Sequence, residues 1–186
     1  MKSISLTALA ALALAAALPT SVLADDPVSP VQGAVCNLYW LNGVNDGKKA
    51  LEITGNLAEQ PAAATFADSA PDFKAKGKKK GIDSNWGMWT GWLKQAKAGT
   101  YTFTCSMDSY YQSKTYSFWV NGQRVLANVN GQNSFDVELS AGFNSVKIVI
   151  HNDEGAAALT VTYKKKGSVK DPMPFGPENM FYDEEE

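Results

Sequence analysis

Tyr101-Thr102-Phe103-Thr104-Cys105-Ser106-Met107 decides the fold. Larger, less polar side chains at 101, 103, 105 and 107 alternate with small hydroxyl residues at 102, 104 and 106. Successive side chains of a strand point to opposite faces, so this run offers one face to a core and one to water. The pattern recurs downstream. Tyr116, Phe118 and Val120 share a parity, and so do Phe135, Val137 and Leu139, with Asp136 and Glu138 between them. Val146, Ile148 and Ile150 follow, then Leu159, Val161 and Tyr163. Asn121-Gly122 and Asn130-Gly131 read as hairpin dipeptides, since both residue types tolerate positive φ. Ala141-Gly142 and Asp153-Glu154-Gly155 supply two more turns. Turn signals between short alternating runs point to consecutive antiparallel strands stacked as two sheets, an all-β sandwich or flattened barrel.

Upstream the pattern weakens. Ala34 to Leu41 reads as a strand that stops at Asn42-Gly43, and Lys49 to Ile53 as a second short strand. Gln60 to Gly81, with Pro61 and Pro71, reads as a long loop holding one short element. No stretch after the N-terminal segment shows a convincing 3.6-residue apolar period, so no helix is expected there.

The N-terminus carries Lys2, then an Ala/Leu-rich run from Leu6 to Leu18, then Val22-Leu23-Ala24. A positive start, a short apolar stretch and a small-residue site together read as a secretory signal peptide over 1–24. The expected organisation is then a mobile leader over 25–33, a β domain over 34–168, and a partly docked tail over 169–186 with an acidic end at Asp183 to Glu186. The expected location is periplasmic or extracellular, with no membrane span.

Charge narrows the function. Seventeen Lys+Arg stand against 19 Asp+Glu, a formal net charge of -2, so no basic excess exists to neutralise nucleic-acid phosphates. One His and two Cys cannot complete a structural zinc site by themselves. In an oxidising compartment Cys36 and Cys105 are expected to pair as a disulfide. His151, the single His, has no evident acid or nucleophile partner and reads as structural, and no catalytic constellation is visible.

Several pieces, in order, resemble one family. Trp89-Thr90-Gly91-Trp92-Leu93 followed by Ala98-Gly99-Thr100-Tyr101-Thr102-Phe103 is similar to a signature of the PA-fourteen domain family. Trp119 to Val125, Val137 to Gly142, Ala157 to Tyr163 and Pro174 to Tyr182 resemble further pieces of it. The resemblance runs from about Val35 to Tyr182 and implies an antiparallel β-sandwich, often with carbohydrate-binding function. In sugar-binding members two adjacent Asp on the loop after the Tyr101 strand help hold calcium. The matching place here is Asp108, with Ser109 where the family has its second Asp. The expected cofactor is none, or calcium held by Asp108 with Asn152 or Asp153.

Individual residues then carry two readings each. Trp86, Trp89 and Trp92 crowd one segment and serve either as core or as flat faces for a sugar ring. Tyr110 and Tyr111 lie in the polar stretch from Asp108 to Lys114, where a loop beside the implied site would place them against a ligand. Trp119 points opposite to Phe118 and Val120, and either covers the second face of its sheet or meets a partner. Asp83, Asp136 and Glu138 read as surface groups, and Lys74, Lys76, Lys78, Lys79 and Lys80 as a solvated basic loop or an attractor of anionic glycans. The expectation is a secreted, non-catalytic binding module for a glycan, with Asp108, Ser109, Tyr110, Tyr111, Trp86 and Asn152 at its site. A structural or protein-interaction domain of a cell-surface or periplasmic complex is the alternative.

Overall fold

The structure is a computed structural model that describes residues 26–41, 47–69, 71–73, 77–79, 82–107, 115–129, 131–152, 158–176 and 178–184. Its spine is β6 (Trp86–Gln95). One edge of β6 pairs along its whole length with β11 (Gly142–His151), from Gly142 opposite Gln95 to His151 opposite Trp86. The other edge is shared: its first half pairs with β2 (Ala34–Tyr39) and its second half with β14 (Met180–Asp183). β8 (Thr115–Val120) and β9 (Gln123–Val129) extend the sheet beyond β11, β1 (Pro30–Gln32) pairs with β14, and β3 (Ala64–Asp68) pairs with β2. A second sheet runs β10 (Gly131–Leu139), β7 (Gly99–Met107), β12 (Leu159–Lys165), β13 (Met173–Pro174). A small hairpin joins β4 (Gly77–Lys79) to β5 (Ile82–Ser84), so part of the expected lysine loop is strand. All pairings are antiparallel.

The all-β sandwich holds, but its strands are not mainly joined to their sequence neighbours. Asn121-Gly122 does make the expected two-residue turn, with φ of 48° and 76°, between β8 and β9. Asn130 lies outside the described residues, but the strands on either side of Asn130-Gly131 belong to different sheets and do not pair as a hairpin, and Gly131 opens β10. The Ala141-Gly142 turn likewise carries the chain from one sheet to the other. Each crossing lets both strands bury their apolar parity in one shared core.

That core has Phe103 at its centre, with ring centroids 5.3 Å from Tyr163, 5.5 Å from Phe118 and 5.6 Å from Phe135. Trp89, Leu93, Ile148, Ile150 and Phe175 complete it. Cys36 and Cys105 both lie in this core, fully buried on opposing sheets, and no disulfide joins them. The expected disulfide is therefore corrected. A disulfide needs Cα atoms within about 7 Å and Cβ directions that converge, and burial in one core does not by itself supply that geometry. Burial pushes the Cys105 thiol up to about 12.

The outer faces of the two sheets differ. On the smaller sheet, Thr102 donates to Asp136 at 2.7 Å and Thr100 to Glu138, while Lys166 meets Asp136 at 2.6 Å. This is a solvated polar ladder. On the larger sheet the outer face is covered in part by α1 (Gly47–Asn56) and the turn of 3-10 helix Leu57–Glu59. The expected strand at 49–53 is thus a helix. Ala50, Ile53 and Leu57 fall at i, i+3 and i+7, one stripe of a helix, and pack on Tyr39, Trp86, Met88 and Val149. Thr54 adds a buried hydroxyl contact to Ser117 at 3.2 Å.

Candidate functional site

The strand register fixes which connections share an end of the sandwich. Thr115, at the start of β8, pairs with His151 at the end of β11 and with Val129 at the end of β9. Gly131, two positions beyond Val129, pairs with Met107 at the end of β7, and Met107 also pairs with Leu159 at the start of β12. The stems of the β7–β8 and β11–β12 connections are therefore together. Asp108, Ser109, Tyr110, Tyr111 and Asp153 belong to those connections and lie outside the described residues.

Asn85 organises the described part of this end. Its side chain receives the Leu41 N–H at 3.0 Å and donates to the Leu41 carbonyl at 2.9 Å. Its backbone N–H reaches the Tyr39 carbonyl at 3.0 Å, and its carbonyl receives the Asn152 N–H at 2.9 Å. Asn85 is buried, so these bonds satisfy groups that would otherwise be costly to shield from water. They fix the chain on both sides of Trp40, which is 50% exposed at this end. Sequence reading placed Trp40 only as a strand residue. The available signal was its position, a large aromatic immediately before the Leu41-Asn42-Gly43 turn.

The other expected residues fall elsewhere. Trp86 is fully buried beneath α1, with its ring centroid 4.3 Å from that of His151, which is buried too. Asn152 is also fully buried and presents no open surface. Trp89 lies in the inter-sheet core and Trp92 is partly covered on the outer face, as their opposite strand parity requires. Trp119 packs on the outer face beside α1. Among the described residues no group of three or more His, Cys, Asp or Glu side chains could hold a metal ion. Asp108 and Asp153, the other two residues of the calcium expectation, lie outside the described residues. Among the described residues, too, no helix is long and apolar enough to cross a membrane.

Two sheets folded over one aromatic core make a β-sandwich, and its likeness to solved structures shows that the fold is PA14-like (PA-fourteen). The chain is similar to the PA14 domain of the MpAFP antifreeze protein, at 17% identity and a TM-score of 0.61, covering 86% of this chain and 95% of that one. It is similar to a PA14 sugar-binding domain from an RTX adhesin, at 22% identity and a TM-score of 0.59, covering 82% and 99%. It is also similar to the Epithelial Adhesin 6 A domain from Candida glabrata, solved in complex with Galb1-3GlcNAc, at 14% identity and a TM-score of 0.59, covering 86% and 93%. No family model matches the sequence, and no curated protein matches it.

Proposed function

We propose that this protein is a secreted, non-catalytic glycan-binding module whose ligand sits at the loop end beside Trp40. The observation that carries the reading is the half-exposed Trp40, whose flanking backbone the Asn85 network ties down at the end where the β7–β8 and β11–β12 stems meet. An indole at a rim offers a flat apolar surface to the C–H face of a sugar ring, while loop polar groups can read its hydroxyls. Asp108, Ser109, Tyr110 and Tyr111 are the polar and aromatic groups assigned to that role, and Asp153 accompanies them. The fold is consistent with this use, since sugar-binding domains are among the structures it resembles.

The test is a glycan array run with calcium and with chelator, comparing the native protein with Trp40→Ala. Binding that falls at least tenfold in Trp40→Ala supports the reading. An array with no signal in either condition overturns it and leaves the interaction-domain alternative.

A further inference from the structure

The outer face of the larger sheet holds a second concavity, away from the loop end. A groove of about 590 Å³ opens where α1 ends, and its lining includes Thr90, Trp92, Trp119, Ser145 and Lys147. Register explains why these residues meet. Thr90, Lys147, Trp119 and Arg124 form one row across β6, β11, β8 and β9, and Trp92 faces Ser145 in the next row. The volume lies within the usual range for small-ligand sites, about 300–1,000 Å³.

The charges in that row are unbalanced. Lys147 holds its ammonium 4.2 Å over the Trp119 ring. Arg124 donates to the Leu51 carbonyl, at 3.4 Å. Neither cation forms an ion pair with a carboxylate among the described residues. Burial, and then the neighbouring Arg124 charge, lower the Lys147 pKa, so charging this site has a cost that no acid among the described residues offsets. An anion placed in the groove would offset it with charge-assisted hydrogen bonds.

We propose that this groove binds an acidic saccharide: a hexuronate ring lies on the partly covered Trp92 indole, its hydroxyls meet Thr90 and Ser145, and its carboxylate meets Lys147 and Arg124. The aromatic face and the two hydroxyls select a sugar over a simple anion, and the paired cations select a carboxylate-bearing sugar over a neutral one. The cation–π contact holds Lys147 in place before the ligand arrives, which lowers the ordering cost of binding. The inference is independent of the loop-end reading, since Trp40 belongs to another end of the molecule.

The experiment is a calorimetric titration of uronate tetramers (oligogalacturonate, oligomannuronate and a hyaluronan tetrasaccharide) against neutral cellotetraose and maltotetraose. Concentrations reach about 10 mM, where millimolar affinity still registers. At least one uronate tetramer is expected to bind, and the neutral ones to bind at least tenfold more weakly. Raising salt from about 0.05 to 0.5 M should weaken uronate binding, as screened charge pairs require. Lys147→Met, which keeps the stem over Trp119, should lose at least tenfold, and Trp40→Ala should lose nothing. Arg124→Gln, at an exposed position, gives the same reading should Lys147→Met fold poorly. Failure of every uronate to bind, equal binding of neutral sugars, or loss in Trp40→Ala with retention in both cation variants each overturns the proposal.

Discussion

Trp89 donates its indole N–H to the Asp68 carboxylate at 3.1 Å, linking β6 to β3 across the intervening β2. Both residues are buried. Removing the acceptor leaves a shielded N–H unpaired, which costs about 1–3 kcal/mol. Asp68→Ala is therefore expected to lower stability by that order in urea unfolding. Asp68→Asn retains an acceptor and should cost less.

Phe103 touches both sheets' aromatic rings and is fully buried. Phe103→Ala removes a large volume from a place whose neighbours come from several strands and cannot all collapse inward. A loss of about 3–5 kcal/mol is expected. Phe135, only partly buried, should cost less when truncated. Thermal and denaturant melts of the two variants side by side check the order.

The two thiols give a chemical prediction. Cys105 is raised from 9.0 to about 12 by burial, so its reactive thiolate is scarce in the folded chain. Iodoacetamide at mildly alkaline pH should leave Cys36 and Cys105 unlabelled in native protein and label both after unfolding without reductant. The same shift sets a stability trend. A group whose folded pKa is raised contributes stability below its unfolded pKa and loses it as pH climbs toward the folded one. Stability should therefore decline from about pH 9 towards 12. Tyr39 and Tyr163, also raised chiefly by burial, act in the same direction. Cys105→Ala should flatten part of that decline.

Asn85 ties Tyr39, Leu41 and Asn152 together through four hydrogen bonds. Asn85→Ala deletes the two made by the side chain and leaves Leu41 groups without those partners. A stability loss of about 1–3 kcal/mol is expected. Hydrogen exchange should quicken first at Leu41, ahead of the core strands, because the lesion is confined to one end.

What the residues disclosed depended on whether a strand had a wet face. β7, β10 and β12 alternate cleanly because their outer side chains meet solvent, and their parity was readable from Tyr101, Val137 and Val161 alone. β6 carries Trp86, Met88, Trp89, Trp92 and Leu93 with no simple alternation. The cause is burial on both sides, by the core and by α1, which removes the polar half of the pattern. The helix was hidden for the converse reason: three apolar residues, Ala50, Ile53 and Leu57, suffice to seat so short an element. At the site, Asn152 and Trp86 were chosen for their chemical type, and period-two reading cannot show that a helix encloses the outer parity. Nothing in the sequence marks Lys147; the register sets it opposite Trp119, with Arg124 next in the same row.

Gly33, at φ 129°, turns the chain back between β1 and β2, and β1 lies against β14 with Pro30 opposite Asp183. Asp183 also accepts the Val28 N–H at 2.7 Å and the Ser29 N–H at 3.2 Å. Positions 28 and 183 are thus neighbours in space. A short peptide joining them, with new termini cut between the exposed Gly122 and Gln123, should give a circular permutant that keeps both sheets. By the same geometry the domain can be spliced into the loop of a host protein as a cassette, entering and leaving through a single narrow gap.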